Sequence, residues 1–132
     1  MKKKLKKLLT IGLATVMTLS FSMLAFAYSE NNGSDSLGEG TMWYHIHVDG
    51  TNAYAGVSTN VTSDLFVDGD AHYFSVWDSY DHVTYLYGGA EQTTDYGVSA
   101  SRDGSQMYYA EATFRASSND GGNNAPFINC VD

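Results

Sequence analysis

The chain has 132 residues, 43% hydrophobic and 14% aromatic, with seven cationic side chains against fifteen carboxylates and a formal net charge of −8. Five of the seven are Lys2, Lys3, Lys4, Lys6 and Lys7, so from Tyr28 onward only Arg102 and Arg115 oppose the fifteen carboxylates, a net of −13. That balance excludes nucleic acid and anionic lipid surfaces as partners, because both need clustered cationic groups; it suits a small protein that stays dispersed by self-repulsion.

The lysine cluster leads into an apolar run from Leu8 to Phe26 that closes on Ala25-Phe26-Ala27, the pattern of a secretory signal peptide over residues 1–27, cut before Tyr28. Thr10, Gly12, Thr15, Thr18, Ser20 and Ser22 interrupt the run, which favours cleavage over retention as an anchor. No other run is long enough to span a bilayer, so no stable membrane insertion is expected and the destination is extracellular. Residues 28–40, rich in Ser, Asn, Gly and Asp, read as a flexible segment.

From 41 to 116 the apolar residues recur with a period of two. Met42, Tyr44, Ile46 and Val48 alternate with Trp43, His45, His47 and Asp49, and Tyr108, Ala110, Ala112 and Phe114 alternate with Met107, Tyr109, Glu111, Thr113 and Arg115. Further runs at 53–61, 72–77, 82–87 and 94–101 give six strands, with a short seventh at Leu65 to Val67. Asp49-Gly50, Asp68-Gly69 and Asp103-Gly104 each precede a Tyr by the same Asp-Gly-x-x-x-Tyr spacing, and each reads as a hairpin turn. The expected fold is all-β: a small antiparallel β-sandwich or barrel of six to seven strands.

Residues 117–132 read as a flexible tail carrying the lone Cys130, a docking segment or a disulfide handle to another chain, and equally an unstructured end. With the apolar parity turned inward, Tyr44, Ile46, Val48, Val57, Val61, Phe74, Val76, Val83, Tyr85, Tyr96, Val98, Ala100, Ala110 and Phe114 fill the core. Trp43, His45, His47, Tyr54, Tyr73, Trp77 and Tyr109 then point outward as candidate binding residues, a platform for sugar rings or a contact surface for a partner.

His45 and His47 share a strand face, and His72 or His82 is the natural third ligand for an ion, yet no carboxylate can be tied to them by spacing. The aspartates crowded between 64 and 81 lack the spacing of an EF-hand loop. No nucleophile elbow, zinc-binding helix or phosphate-cradling loop occurs, so neither catalysis nor a metal or other cofactor is expected.

Gly38-Glu39-Gly40-Thr41-Met42-Trp43-Tyr44 resembles the glycine-rich, Thr-Trp-x-Tyr opening of the lactococcin 972 family of exported bacteriocins. Tyr54-Ala55-Gly56-Val57-Ser58 lies where that family has a second, Tyr- and Ser-rich strand, and His72-Tyr73-Phe74-Ser75-Val76 is similar to its His-Ser-x-Ser-Val strand. Tyr96 to Ser101, Asp103-Gly104 and Tyr108-Tyr109 resemble its closing pattern. The resemblance covers 38–109. It implies a signal-cleaved β-sandwich acting on the envelope of related bacteria, with the wall precursor lipid II as target and septum formation as the process blocked. The residues alone support a second expectation: a secreted, non-catalytic binding module for glycans or a cell-surface partner.

Overall fold

The computed structural model describes residues 28–78 and 80–131; the signal-peptide reading of 1–27 lies outside them. Among the described residues every regular element is a strand: β1 Tyr28–Leu37, β2 Gly40–Asp49, β3 Asn52–Ser75, β4 Asp81–Ser101, β5 Ser105–Ser118, β6 Asn123–Asn124 and β7 Phe127–Val131. All pairings are antiparallel, and the seven strands form one sheet curled into a half-barrel. The all-β antiparallel expectation holds.

The separate strands expected at 53–61, 65–67 and 72–77 are one continuous strand, β3, and those at 82–87 and 94–101 are likewise β4. β3 changes partner halfway along. Residues 52–59 pair with β2 and residues 63–75 pair with β5, while β4 accompanies both halves on the other side. Between them the register with β4 slips at Ser58–Ser63, a local irregularity that bends a strand. Buried Thr59 and Ser63 both donate to the Val61 carbonyl, at 2.7 and 2.9 Å, so the backbone group the bend frees is satisfied. Asn60 Oδ1 accepts the Thr41 N–H at 2.7 Å and pins the start of β2 to the same bend.

The bend folds one half of the sheet toward the other, and the core lies between. Met42, Ile46 and Val48 of β2, Val57, Leu65 and Val67 of β3, Leu86 of β4 and Met107 and Phe114 of β5 are fully or almost fully buried. Tyr44 of β2 stacks on Phe114 of β5 with ring centroids 5.5 Å apart, and its hydroxyl reaches out to Asp35 at 2.9 Å. Gly33, opposite Tyr44 in the β1–β2 ladder, makes room: a Cβ there would lie 2.6 Å from the Tyr44 ring.

Both segments expected to be flexible are strands. β1 pairs with β2 along all ten residues and anchors through fully buried Leu37, and Gly38, at φ 59°, supplies the turn that follows. An edge strand held by its backbone ladder needs few apolar side chains, which is why its composition reads as coil. β6 and β7 pair with β5, and Cys130 faces Ala110 at 4% exposure, inside the core. Cys130 is therefore a buried residue of an ordered strand, β7. The β1 edge is then stitched to β7 and β6 by side chains: Ser29 Oγ donates to the Val131 carbonyl at 2.8 Å, Asn31 Nδ2 to the Asn129 carbonyl at 2.8 Å, and Asn124 Nδ2 of β6 to the Ser36 carbonyl at 3.1 Å.

One run of the inward assignment is reversed. Phe74, Val76, Val83 and Tyr85, expected inside, are 45, 72, 43 and 76% exposed, while Ala71, Thr84 and Leu86 are buried in their place. The ladder decides this: Leu65, Val67 and Ala71 face the core, and antiparallel register sets Thr84 opposite Ala71 and Leu86 opposite Gly69. Tyr73, expected outward, consequently takes the inward parity and packs half-buried against the core.

Phe114 joins the two halves, so Phe114→Ala should cost about 3–5 kcal/mol, enough to abolish a cooperative unfolding transition in a domain this size. Trp77→Ser, at an exposed turn, should move stability by less than about 0.5 kcal/mol. Urea denaturation followed by far-ultraviolet circular dichroism checks both.

Candidate functional site

The candidate binding residues fall in three places. Trp43, His45, His47 and Tyr54 come together on the outer face of β2 and β3, Trp77 and Tyr73 lie at the β3–β4 turn, and Tyr109 sits on the outer face of β5.

Within the first group, His45, His47 and Tyr54 form a continuous shelf of rings. Period-two geometry puts His45 and His47 on one face of β2 with centroids 6.1 Å apart, and the β2–β3 register sets Tyr54 opposite His47. Tyr54 lies 5.4 Å from His47 and 5.0 Å from His45. Tyr28 of β1, which the sequence reading left in a flexible arm, extends the row at 5.7 Å from His47. Two glycines make the bed for this arrangement: Gly56 stands opposite both His45 and Gly97, and a Cβ on Gly56 would meet the Tyr54 hydroxyl at 2.6 Å, with the same hydroxyl blocking Gly97. Trp43, 46% exposed, continues the face toward the bend.

Burial first, and then the neighbouring His47, hold the His45 imidazole below its ordinary value of 6.5, against a smaller upward pull from Glu30 and Asp95. The ring is thus a neutral donor–acceptor at neutral pH. Tyr28 donates to Glu30 at 2.6 Å, and that bond is the main cause of its raised phenol value. The shelf offers flat faces, hydroxyls and imidazoles rimmed by carboxylates. His72 and His82 belong to the second half of β3 and the start of β4, away from His45 and His47, and among the described residues no group of three or more His, Cys, Asp or Glu is arranged to hold a metal ion.

Tyr109 belongs to a different network that spacing did not reveal. The β3–β5 register sets it opposite His72 and sets Asp70 opposite Glu111. The His72 ring lies between two carboxylates, Nδ1 at 3.0 Å from Asp81 and Nε2 at 3.4 Å from Asp70. Tyr108 donates to Asp81 at 2.8 Å, and Tyr109 donates to Glu111 in a short bond. Both phenols are pushed up, chiefly by these bonds, so they keep their protons at neutral pH. Burial, with Glu111 second, pushes the Asp70 carboxyl up, and its buried Oδ1 makes no hydrogen bond.

At the β3–β4 turn Tyr73 stacks on His82 at 5.3 Å, and His82 Nε2 meets Asp78 at 2.9 Å. Beyond them Trp77 is 86% exposed. Tyr85, Tyr87 and Phe127 are further exposed rings that the sequence reading left out of the site, because their parity was hidden by apolar residues on both faces of β4 and by the assumed disorder of β7. No family model matches the chain, and no curated protein matches it.

His45 is protonated more readily in the unfolded chain than in the fold, so its contribution lowers stability as pH falls through 6.5 and vanishes above it. Proton NMR should show the His45 Cε1–H titrating below 6.5, and His45→Gln should flatten part of the stability loss between about pH 7 and 5.

Proposed function

We propose that the chain from Tyr28 onward is a secreted antibacterial protein of the lactococcin 972 type that acts, without catalysis, at the cell envelope of related bacteria. The observation that carries this reading is the ring shelf: the stretches in which the resemblance is found, 38–44 and 54–58, are also those that supply Trp43 and Tyr54 and the glycine bed beneath Tyr54. The resemblance implies a β-sandwich, with which the single curled antiparallel sheet shares its all-β class. A signal peptide over 1–27 would deliver the protein outside the cell, where its net −13 keeps copies apart.

The shelf suits an amphipathic envelope ligand. Aromatic faces contribute apolar contact at low entropic cost, and the imidazoles and carboxylates around them exchange hydrogen bonds with hydroxyl and amide groups. The same charge limits the target: a surface with two cations against fifteen carboxylates repels phosphate-rich ligands, so recognition falls on the uncharged part of the envelope component.

Purified protein spanning Tyr28 to Asp132 should inhibit growth of close relatives at micromolar concentration in a broth dilution assay, and Trp43→Ala with Tyr54→Ala should weaken that inhibition by about tenfold or more. A folded protein that leaves every relative growing at full rate sinks the reading.

A further inference from the structure

Beside the bend, between the β4 segment around Gly89 to Glu91 and β6, runs a groove of about 1070 Å³ whose lining includes Asp64, Phe66, Glu91, Arg115, Ser117 and Asn123. It shares no residue with the ring shelf. Its size is that of a small-molecule site. We propose that this groove binds a neutral oligosaccharide, with Phe66 as the ring on which a sugar stacks and Asp64, Glu91, Arg115 and Asn123 as partners for its hydroxyls. The proposal does not rest on antibacterial activity.

The floor is built for an aromatic ring. Phe66 lies over Gly89, where a Cβ would come within 2.5 Å of the ring, and Tyr87 braces it edge-on at 4.9 Å and 87°. Pyranose rings carry a C–H face that packs on such a surface. The wall is held before any ligand arrives. Gln92 is the one non-glycine residue with positive φ among the described residues, at 51°, and its N–H and its amide both donate to Asp64 Oδ1, at 2.9 and 3.2 Å. Gln92 and Asn119 exchange reciprocal amide bonds of 3.0 Å, tying the β4 wall to the turn after β5. Gln92 lies in the β-bulge opposite Asp64, and these four bonds fix the bulge and with it the backbone of Glu91 beside it.

Charge selects the ligand class. Two carboxylates and one guanidinium line the groove, so a phosphate or a uronate meets net repulsion, whereas a hydroxyl accepts from Arg115 while donating to Asp64 or Glu91. Arg115 is available for this: its nearest carboxylate is Asp68 at 3.7 Å, and both side chains are at least half exposed. Arg102, by contrast, is committed to the Ser101 carbonyl at 3.0 Å and Thr84 Oγ1 at 2.8 Å.

The test is amide chemical-shift mapping of nitrogen-labelled protein from Tyr28 onward, titrated separately with cellotetraose, chitotetraose, maltotetraose, xylotetraose and mannotetraose to millimolar concentration. At least one should move the Phe66, Gly89, Glu91 and Arg115 amides saturably while those of His45 and Tyr54 stay still. Arg115→Gln, an exposed change that leaves the core intact, should weaken that binding about tenfold, the loss expected from removing a charged hydrogen-bond donor. Phe66→Ala should abolish it with the remaining amide spectrum preserved. Silence of the groove amides toward all five sugars overturns the proposal, as do shifts confined to the His45–Tyr54 shelf, or groove shifts produced by a short lysine peptide and by no sugar.

Discussion

The bend in β3 between Ser58 and Ser63 is the constraint on which this molecule depends. A single strand of 24 residues would otherwise run straight through a sheet with two open faces and no enclosed core. Because the strand turns there and exchanges β2 for β5 as its neighbour, the two halves of one hairpin face each other, and Tyr44 can stack on Phe114. The cost of a bend is freed backbone polar groups, and here Thr59, Ser63 and Asn60 supply the compensating bonds from within the bend itself. The arrangement also opens the groove beside it, since Asp64 and Phe66 follow directly on the irregular stretch.

Glycine is used repeatedly to seat aromatic rings. Gly33 lies beneath Tyr44, Gly56 and Gly97 beneath Tyr54, and Gly89 beneath Phe66. A strand glycine costs backbone entropy and packs nothing itself, so its place in a strand is justified where a neighbour needs the space. In each case ring atoms occupy the volume that a Cβ on the glycine would need, in the core for Tyr44 and on the outer face for Tyr54 and Phe66.

Much of this was legible in the chain. Period-two alternation in 42–48 and 110–114 identified β2 and β5 and their buried faces, because there the two parities differ sharply in polarity, but Met107, expected outward, is buried and Tyr108 half-exposed, because the β3–β5 register shifts opposite them. It failed from 72 to 87, where Tyr, Val, Phe and Trp occupy both parities and only the pairing of Ala71 with Thr84 fixes which faces inward. The ends failed for the opposite reason. β1 and β7 are ordered by backbone ladders and by Ser29, Asn31 and Asn124 reaching across a seam, and such bonds leave no hydrophobic signature to read. The shelf was anticipated at Trp43, His45, His47 and Tyr54, while Tyr28 was lost with β1. Nothing in the spacing joins Asp64, Phe66 and Glu91 to Asn123, which meet only once β4, β5 and β6 are in place.

The charge imbalance explains how so exposed a surface stays usable. Among the described residues β4 pairs only with β3, and its stretch from His82 to Ala90 carries no Asp, Glu, Lys, Arg or Pro. An edge of that kind is a template for pairing with another chain, and exposed Val83, Tyr85 and Tyr87 add apolar contact to the invitation. Proteins usually guard such edges locally, with a lysine or a bulge. Here the guard is global: thirteen uncompensated negative charges from Tyr28 onward repel a second copy before its edge can align. Screening weakens that repulsion at distances beyond the Debye length, about 8 Å at physiological ionic strength, yet a neutral ligand is not subject to it at all. On the readings proposed above, an acidic scaffold with aromatic platforms would separate two tasks, keeping copies of itself apart while leaving its rings open to partners that carry no charge.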